Sequence, residues 1–183
     1  MLQHEGDPSR CAVILPGVRY FSQAPLLWFA REVAQAHGWS VIEVDERAPQ
    51  DEEPFEWMRG QARRALDAAA GADRVVVIGK SLGSAAAPMV SGPAIWLTPL
   101  LLRREVAESI LAATAPTLLV GSPDDPTWDG GIDSDNPALE VLELDGLDHS
   151  LEVSGDPLAS LDVLRDVISH VDRFFPRLAQ RAA

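Results

Sequence analysis

The chain is poor in several kinds of residue, and each shortage removes a class of function. It has one cysteine, Cys11, so an internal disulfide and a cysteine-built zinc site are both excluded, and Cys11 reads as a small buried apolar residue at a strand edge. Basic residues are few: 15 Lys plus Arg stand against 28 Asp plus Glu, a formal net charge of −13. Such a surface repels phosphate backbones and anionic lipid, so no nucleic-acid partner is expected. There is no run of roughly eighteen apolar residues, and Met1–Asp7 has neither the basic start nor the apolar core of a signal peptide, so no membrane association is expected and the protein reads as cytoplasmic. Histidine is scarce as well, at four, which shortens any search for a general base.

What is present is a hydrophobic content of 46% in 183 residues, enough for one well-buried core and too little for two ordinary domains. The expected layout is a loose tail over 1–10, one domain over 11–176 and a second tail over 177–183. Strands are expected over 12–15, 39–44, 75–78, 93–97, 117–120 and 139–144, where short apolar, often β-branched runs end at turn residues. Helices are expected over about 23–37, 54–70, 82 onward, 102–113 and from Pro157, the last capped by Asp156 and carrying Leu158, Leu161, Leu164, Ile168, Val171 and Phe175 on one face. The acidic loop 45–53 reads as solvated. Alternation of six short strands with helices describes an α/β domain built on an open, mostly parallel sheet with helices on both faces. In such sheets a ligand site lies beyond the carboxyl ends of the strands.

The chemistry is concentrated at one of those ends. Val75-Val76-Val77-Ile78 runs directly into Gly79-Lys80-Ser81-Leu82-Gly83. A serine between two glycines at a strand-to-helix turn is held with its Oγ exposed, because strand and helix approach too closely there for other side chains. The Gly-Lys-Ser triplet is no P-loop, since Arg74 stands where the first glycine of that motif is required. Lys80 then reads as a side chain packed beside the turn or reaching solvent. A serine needs a base, and the base needs an orienting carboxylate. His4 falls in the tail, while His37 and His170 fall on helices. His149, in Leu147-Asp148-His149-Ser150, follows the last strand and reaches the same sheet edge as Ser81. Gly121-Ser122-Pro123-Asp124-Asp125 offers the carboxylate, with Asp124 preferred over Asp125 for its position three residues past the glycine. The aspartates of 124–135 do not fit an EF-hand, because Asn136 stands where the bidentate glutamate belongs. No metal site is expected.

The elbow around Ser81, the order Ser, Asp, His along the chain, and the Gly-x-x-Asp and Gly-x-Asp-His contexts together resemble the α/β-hydrolases. The resemblance spans about Cys11 to Phe175 and implies a small single-domain form without a cap, since 98–116 leaves room for only one helix. It further implies a serine hydrolase acting through an acyl-enzyme on a carboxylic ester or thioester, with no cofactor. The backbone N–H groups of Val18 and Leu82 would form the oxyanion hole, although Pro16-Gly17 stands where many members carry His-Gly. Tyr20 and Trp128 are candidates for a substrate pocket, and Arg19 for pairing with an acidic substrate group. The alternative from a different class is a catalytically weak protein of the same fold that binds a ligand or a protein partner.

Overall fold

The computed structural model describes residues 1–45 and 53–179. The acidic loop expected over 45–53 falls, apart from its two ends, outside the described residues, as do the last four positions of the expected C-terminal tail.

Among the described residues seven strands form one sheet: β1 (Leu2–His4), β2 (Asp7–Leu15), β3 (Trp39–Glu43), β4 (Arg74–Lys80), β5 (Ala94–Leu97), β6 (Thr117–Gly121) and β7 (Leu139–Glu143). Their order is β1-β3-β2-β4-β5-β6-β7. All neighbouring pairs are parallel except β1 with β3. All six expected strands are present. The seventh corrects the expectation of a loose tail: Leu2, Gln3 and His4 pair antiparallel with Glu43, Ile42 and Val41, and β2 starts at Asp7 rather than at residue 12. Asp7-Pro8-Ser9-Arg10 shows no strand pattern in sequence. It is drawn into the sheet because Asp7 pairs with Trp39 of β3 on one side and Arg10 with Arg74 of β4 on the other, while the outer edge of β3 is covered by β1.

Alternation along the central strands divides the interior in two. Val13, Leu15, Val77, Trp96 and Leu119 face α2 (Pro54–Ala69), α3 (Arg104–Leu111) and a short 3₁₀ helix, Ser81–Met89. Ile14, Val76, Ile78, Ile95, Leu97, Leu118 and Val120 face α1 (Pro25–Ala36) and α4 (Pro157–Ala179). Each central strand is thus buried on both sides, as continuous apolar runs in a parallel sheet require.

Two features of α4 depart from expectation. Its end is not a tail from 177: the helix continues through Ala179, across Pro176, with Phe174, Phe175 and Leu178 buried. A proline inside a helix costs about 3 kcal/mol, and burying three large apolar side chains at about 1.5–3 kcal/mol each outweighs it. At its start, Leu158 and Leu161 stay 73% and 55% exposed, and burial along the helix begins only at Val167. Asp156 caps the helix as expected, its Oδ1 accepting from Leu158 N at 3.1 Å and Ala159 N at 3.0 Å.

Candidate active site

β4 delivers Ser81 to the middle of the carboxyl edge in a left-handed conformation, φ 52°, which is unfavourable for a residue with a side chain and persists only where its surroundings fix it. The two flanking glycines do this by permitting contact. A Cβ on Gly79 would stand 2.5 Å from the Trp96 ring, and one on Gly83 would stand 2.3 Å from the backbone oxygen of Leu15. The segment after Ser81 is a 3₁₀ helix instead of a full α-helix, with every residue from Ser81 to Ala87 buried; its tighter turn brings it against β2, and Pro88 stops an i→i−4 pattern from developing. Ser84 Oγ donates to Ser81 O at 2.6 Å and accepts from Leu100 N at 3.1 Å, tying the elbow to the loop after β5. Ser81 itself keeps only 9% of its surface exposed, less than its place at an open edge suggests.

His149 supplies the reason. Its Nε2 lies 2.7 Å from Ser81 Oγ, while its Nδ1 lies 2.7 Å from Asp125 Oδ2 and 3.1 Å from Thr127 Oγ1. Asp125 is 1% exposed, and its Oδ1 accepts from Thr127 N at 2.8 Å and Thr127 Oγ1 at 2.9 Å. The carboxylate beside His149 is therefore Asp125, which corrects the preference for Asp124. Asp125 N donates to Ser122 O at 3.1 Å, closing a turn that sends successive side chains in different directions. Asp124 points outward, where its Oδ2 accepts from Gly146 N at 2.7 Å, and Asp125 folds back beneath the imidazole. Spacing from the strand-ending glycine cannot distinguish these two directions. Around His149 the turn is built by Asp148, whose Oδ1 accepts from Ser150 N at 2.7 Å and Glu152 N at 3.0 Å, an Asx-type arrangement. Ser122 Oγ joins the two loops, accepting from Asp124 N at 3.2 Å and Leu147 N at 3.3 Å.

Lys80 takes the first of its two expected places, packed beside the turn, and what sequence reasoning missed is its partner. Its side chain is 1% exposed and its Nζ donates to the backbone carbonyl of His149 at 2.5 Å. Thr98 Oγ1 donates to the same oxygen at 3.1 Å. The Nζ also lies 4.9 Å from the centre of the Tyr20 ring. Burial pulls the Lys80 ammonium down to about 8, against the opposing pull of Asp125, Asp148 and Glu152. A signal was available in the strand alternation, which sets Lys80 in phase with the buried Val76 and Ile78.

The remaining candidates divide. The Gly17–Tyr20 turn lies against the elbow: Gly17 N donates to Tyr20 O at 2.9 Å, and a Cβ on Gly17 would stand 3.2 Å from Ser81 Cβ. Val18 in this turn has an exposed side chain, and Leu82, next to the serine, has a buried one. Tyr20 Oη accepts from Leu26 N at 3.0 Å, and burial raises its hydroxyl to about 12. Tyr20 helps to line an open pocket of about 380 Å³ with Leu26, Ser150, Val153, Leu161 and Leu164, which begins one residue after His149. Trp128 does not line a pocket, contrary to expectation. It is wholly buried, its ring covers Gly121, where a Cβ would meet it at 2.0 Å, and its Nε1 donates to Glu143 Oε2 at 2.6 Å; the indole is a core plug that holds the Asp125 loop against the end of β6. Arg19 is exposed.

Chemically, a hydroxyl, an imidazole and a buried carboxylate in one line form a proton-transfer chain able to activate the hydroxyl as a nucleophile. No family model matches the chain, and no curated protein does either. Solved structures do match. Est1E from Butyrivibrio proteoclasticus superposes with a TM-score of 0.67 at 15% identity, over 92% of this chain and 87% of that one. The alpha/beta hydrolase domain-containing protein 10 from mouse superposes with a TM-score of 0.68 at 13% identity, over 97% and 93%. The esterase domain of a Rhodothermus marinus protein gives 0.62 at 15% identity, over 93% and 88%. At these identities what is shared is the fold.

Proposed function

With the α/β-hydrolase fold as premise, we propose that this protein is a serine hydrolase that cleaves a carboxylic ester or thioester through an acyl-enzyme. The observation that carries the reading is the unbroken pair of 2.7 Å contacts from Ser81 Oγ to His149 Nε2 and from His149 Nδ1 to Asp125 Oδ2. Ser81 Oγ attacks the substrate carbonyl carbon as its proton passes to Nε2. Asp125 keeps the other imidazole proton on Nδ1, so that Nε2 is free to accept, and it stabilises the imidazolium that forms. Collapse of the tetrahedral intermediate breaks the bond to the alcohol or thiol, which leaves with the proton held on Nε2. Water then repeats the sequence on the acyl-serine, releasing the acid and restoring the hydroxyl. The backbone N–H groups of Leu82 and Val18 are assigned to the carbonyl oxygen, since one follows the nucleophile directly and the other lies in the turn packed on the elbow.

The absence of any element between β5 and β6 beyond α3 supports a small substrate that meets the serine directly from solvent. Reaction with a fluorophosphonate probe followed by mapping of the labelled residue tests the assignment. Labelling should fall on Ser81 and vanish in Ser81→Ala, with little change in stability because the lost side chain is small. Wild-type esterase activity in Ser81→Ala would refute the mechanism.

A further inference from the structure

Lys80 is the only lysine of the chain; every other one of its 15 basic residues is an arginine. It occupies the position next to Ser81, and its charged end is aimed inward at the backbone of His149 instead of outward at solvent. A buried ammonium is costly, and an apolar residue continuing the Val76 and Ile78 face would fit the same strand position without that cost. We infer that Lys80 is a positioning residue: its protonated ammonium, gripping the His149 carbonyl from the end of β4, holds the imidazole in line between Ser81 Oγ and Asp125. The inference rests on the serine-hydrolase reading of these three side chains.

The geometry favours this over a purely structural plug. The imidazole must meet two partners at once, each at 2.7 Å, and its backbone lies in a loop between β7 and α4 that is tied to the loop after β6 at Gly146 and Leu147 but is held around Asp148 by local bonds. Only Lys80 and Thr98 bind the His149 carbonyl to the sheet among the hydrogen bonds described. Of the two, the Lys80 bond is charge-assisted, and such bonds are roughly twice as strong as neutral ones. The groups facing the ammonium are Tyr20 from the loop after β2, Asp125 from the loop after β6, and Asp148, His149 and Glu152 from the loop after β7. The three carboxylates favour the charged form and burial opposes it, which leaves the proton to be lost at about 8. Above that pH the amine remains in place but grips less strongly, and the imidazole loosens. A displacement of about 1 Å in a reacting group is enough to cost on the order of 100-fold in rate.

Because there is a single lysine, ¹³Cε-lysine labelling yields one side-chain signal that can be titrated directly, beside the initial rate of fluorophosphonate labelling at Ser81 over the same pH range. In the wild type the signal and the alkaline fall in rate should share a midpoint near 8. Lys80→Met should label about 10- to 100-fold more slowly at neutral pH, and its rate should show no fall with that midpoint. Lys80→Arg, which stays charged, should hold its rate beyond about pH 9. Thr98→Val should slow labelling and leave the midpoint unchanged. If Lys80→Arg does not fold, the lysine titration and the Lys80→Met profile decide between them. Labelling of Lys80→Met at the wild-type rate with the wild-type alkaline fall, or a lysine midpoint unrelated to that of the rate, overturns the role of Lys80 alone. Failure of the wild type to label at Ser81 at every pH overturns the hydrolase reading, and this role with it.

Discussion

Asp125→Asn is the sharpest perturbation the site offers, because the surroundings dictate how the new amide must point. The Oδ1 position accepts from Thr127 N at 2.8 Å, and a backbone N–H can only donate. If the amide nitrogen took that place, two donors would face each other in a site where Asp125 is almost wholly buried, at a cost of about 1–3 kcal/mol. The amide oxygen therefore stays on Thr127 and the NH₂ faces His149 Nδ1, at the position where Oδ2 lies 2.7 Å away in the wild type. An N–H aimed at Nδ1 requires Nδ1 to accept, which moves the imidazole proton to Nε2, the nitrogen facing Ser81 Oγ. The base then has no lone pair for the serine proton. The wrong-tautomer penalty in the serine-protease template is about 10⁴ in turnover, which corresponds to about 5.5 kcal/mol of barrier. Stability should change by no more than about 1 kcal/mol, since shape and the Thr127 bonds are retained. Kinetics on a short-chain aryl ester measure the loss, and ¹⁵N spectra of the imidazole should show the proton on Nε2. Asp124→Asn is the control: its Oδ2 serves only an exposed Gly146 N–H, which an amide oxygen can also serve, so turnover should stay within about threefold. An Asp125→Asn variant within tenfold of wild type, or a larger loss in Asp124→Asn, would refute the tautomer argument.

Two further outcomes concern stability. Lys80 has a folded-state value of about 8 against an ordinary 10.5, so between those values the unfolded chain binds the additional proton and stability rises with pH; the cost of the buried charge is fully present below 8 and is released as pH rises towards 10.5. Over about two pH units this amounts to about 3 kcal/mol, and urea unfolding at pH 7.5 and 10 should show the stability difference between Lys80→Met and wild type shifting by that order in favour of the wild type; a constant difference would show that the ammonium carries no burial cost. Gly83→Ala should destabilise by about 3 kcal/mol, since its Cβ would meet the Leu15 backbone at 2.3 Å and backbone cannot rotate away; thermal unfolding within experimental error of wild type would show that the 3₁₀ helix can lift off β2 freely.

The parts of this protein legible in its sequence are those that depend on local pattern. Six strands, the helices between them, the Asp156 cap and the serine elbow follow from periodicity, β-branched runs and the steric demands of glycine, and these act over a few neighbouring residues. His149 was identifiable because a parallel sheet brings the carboxyl ends of its strands to one edge, so connectivity alone placed it near Ser81. The strand at Leu2–His4 was not legible, because its pairing partner lies about forty residues away and its own residues carry no alternation. Trp128 looked like a loop aromatic beside the site, and only the depth of the groove over Gly121 makes it core. Asp124 and Asp125 are adjacent and chemically identical; a turn closed by Asp125 N on Ser122 O aims one at solvent and the other at the imidazole. Lys80 reads equally as packed beside the turn or reaching solvent until the fold places a backbone carbonyl 2.5 Å from its Nζ. Residue type and strand phase determined which groups could reach this edge of the sheet. Which of them touch was decided by the tertiary structure, because a hydrogen bond depends on direction within a few tenths of an ångström, and direction is set by packing between segments distant in the chain.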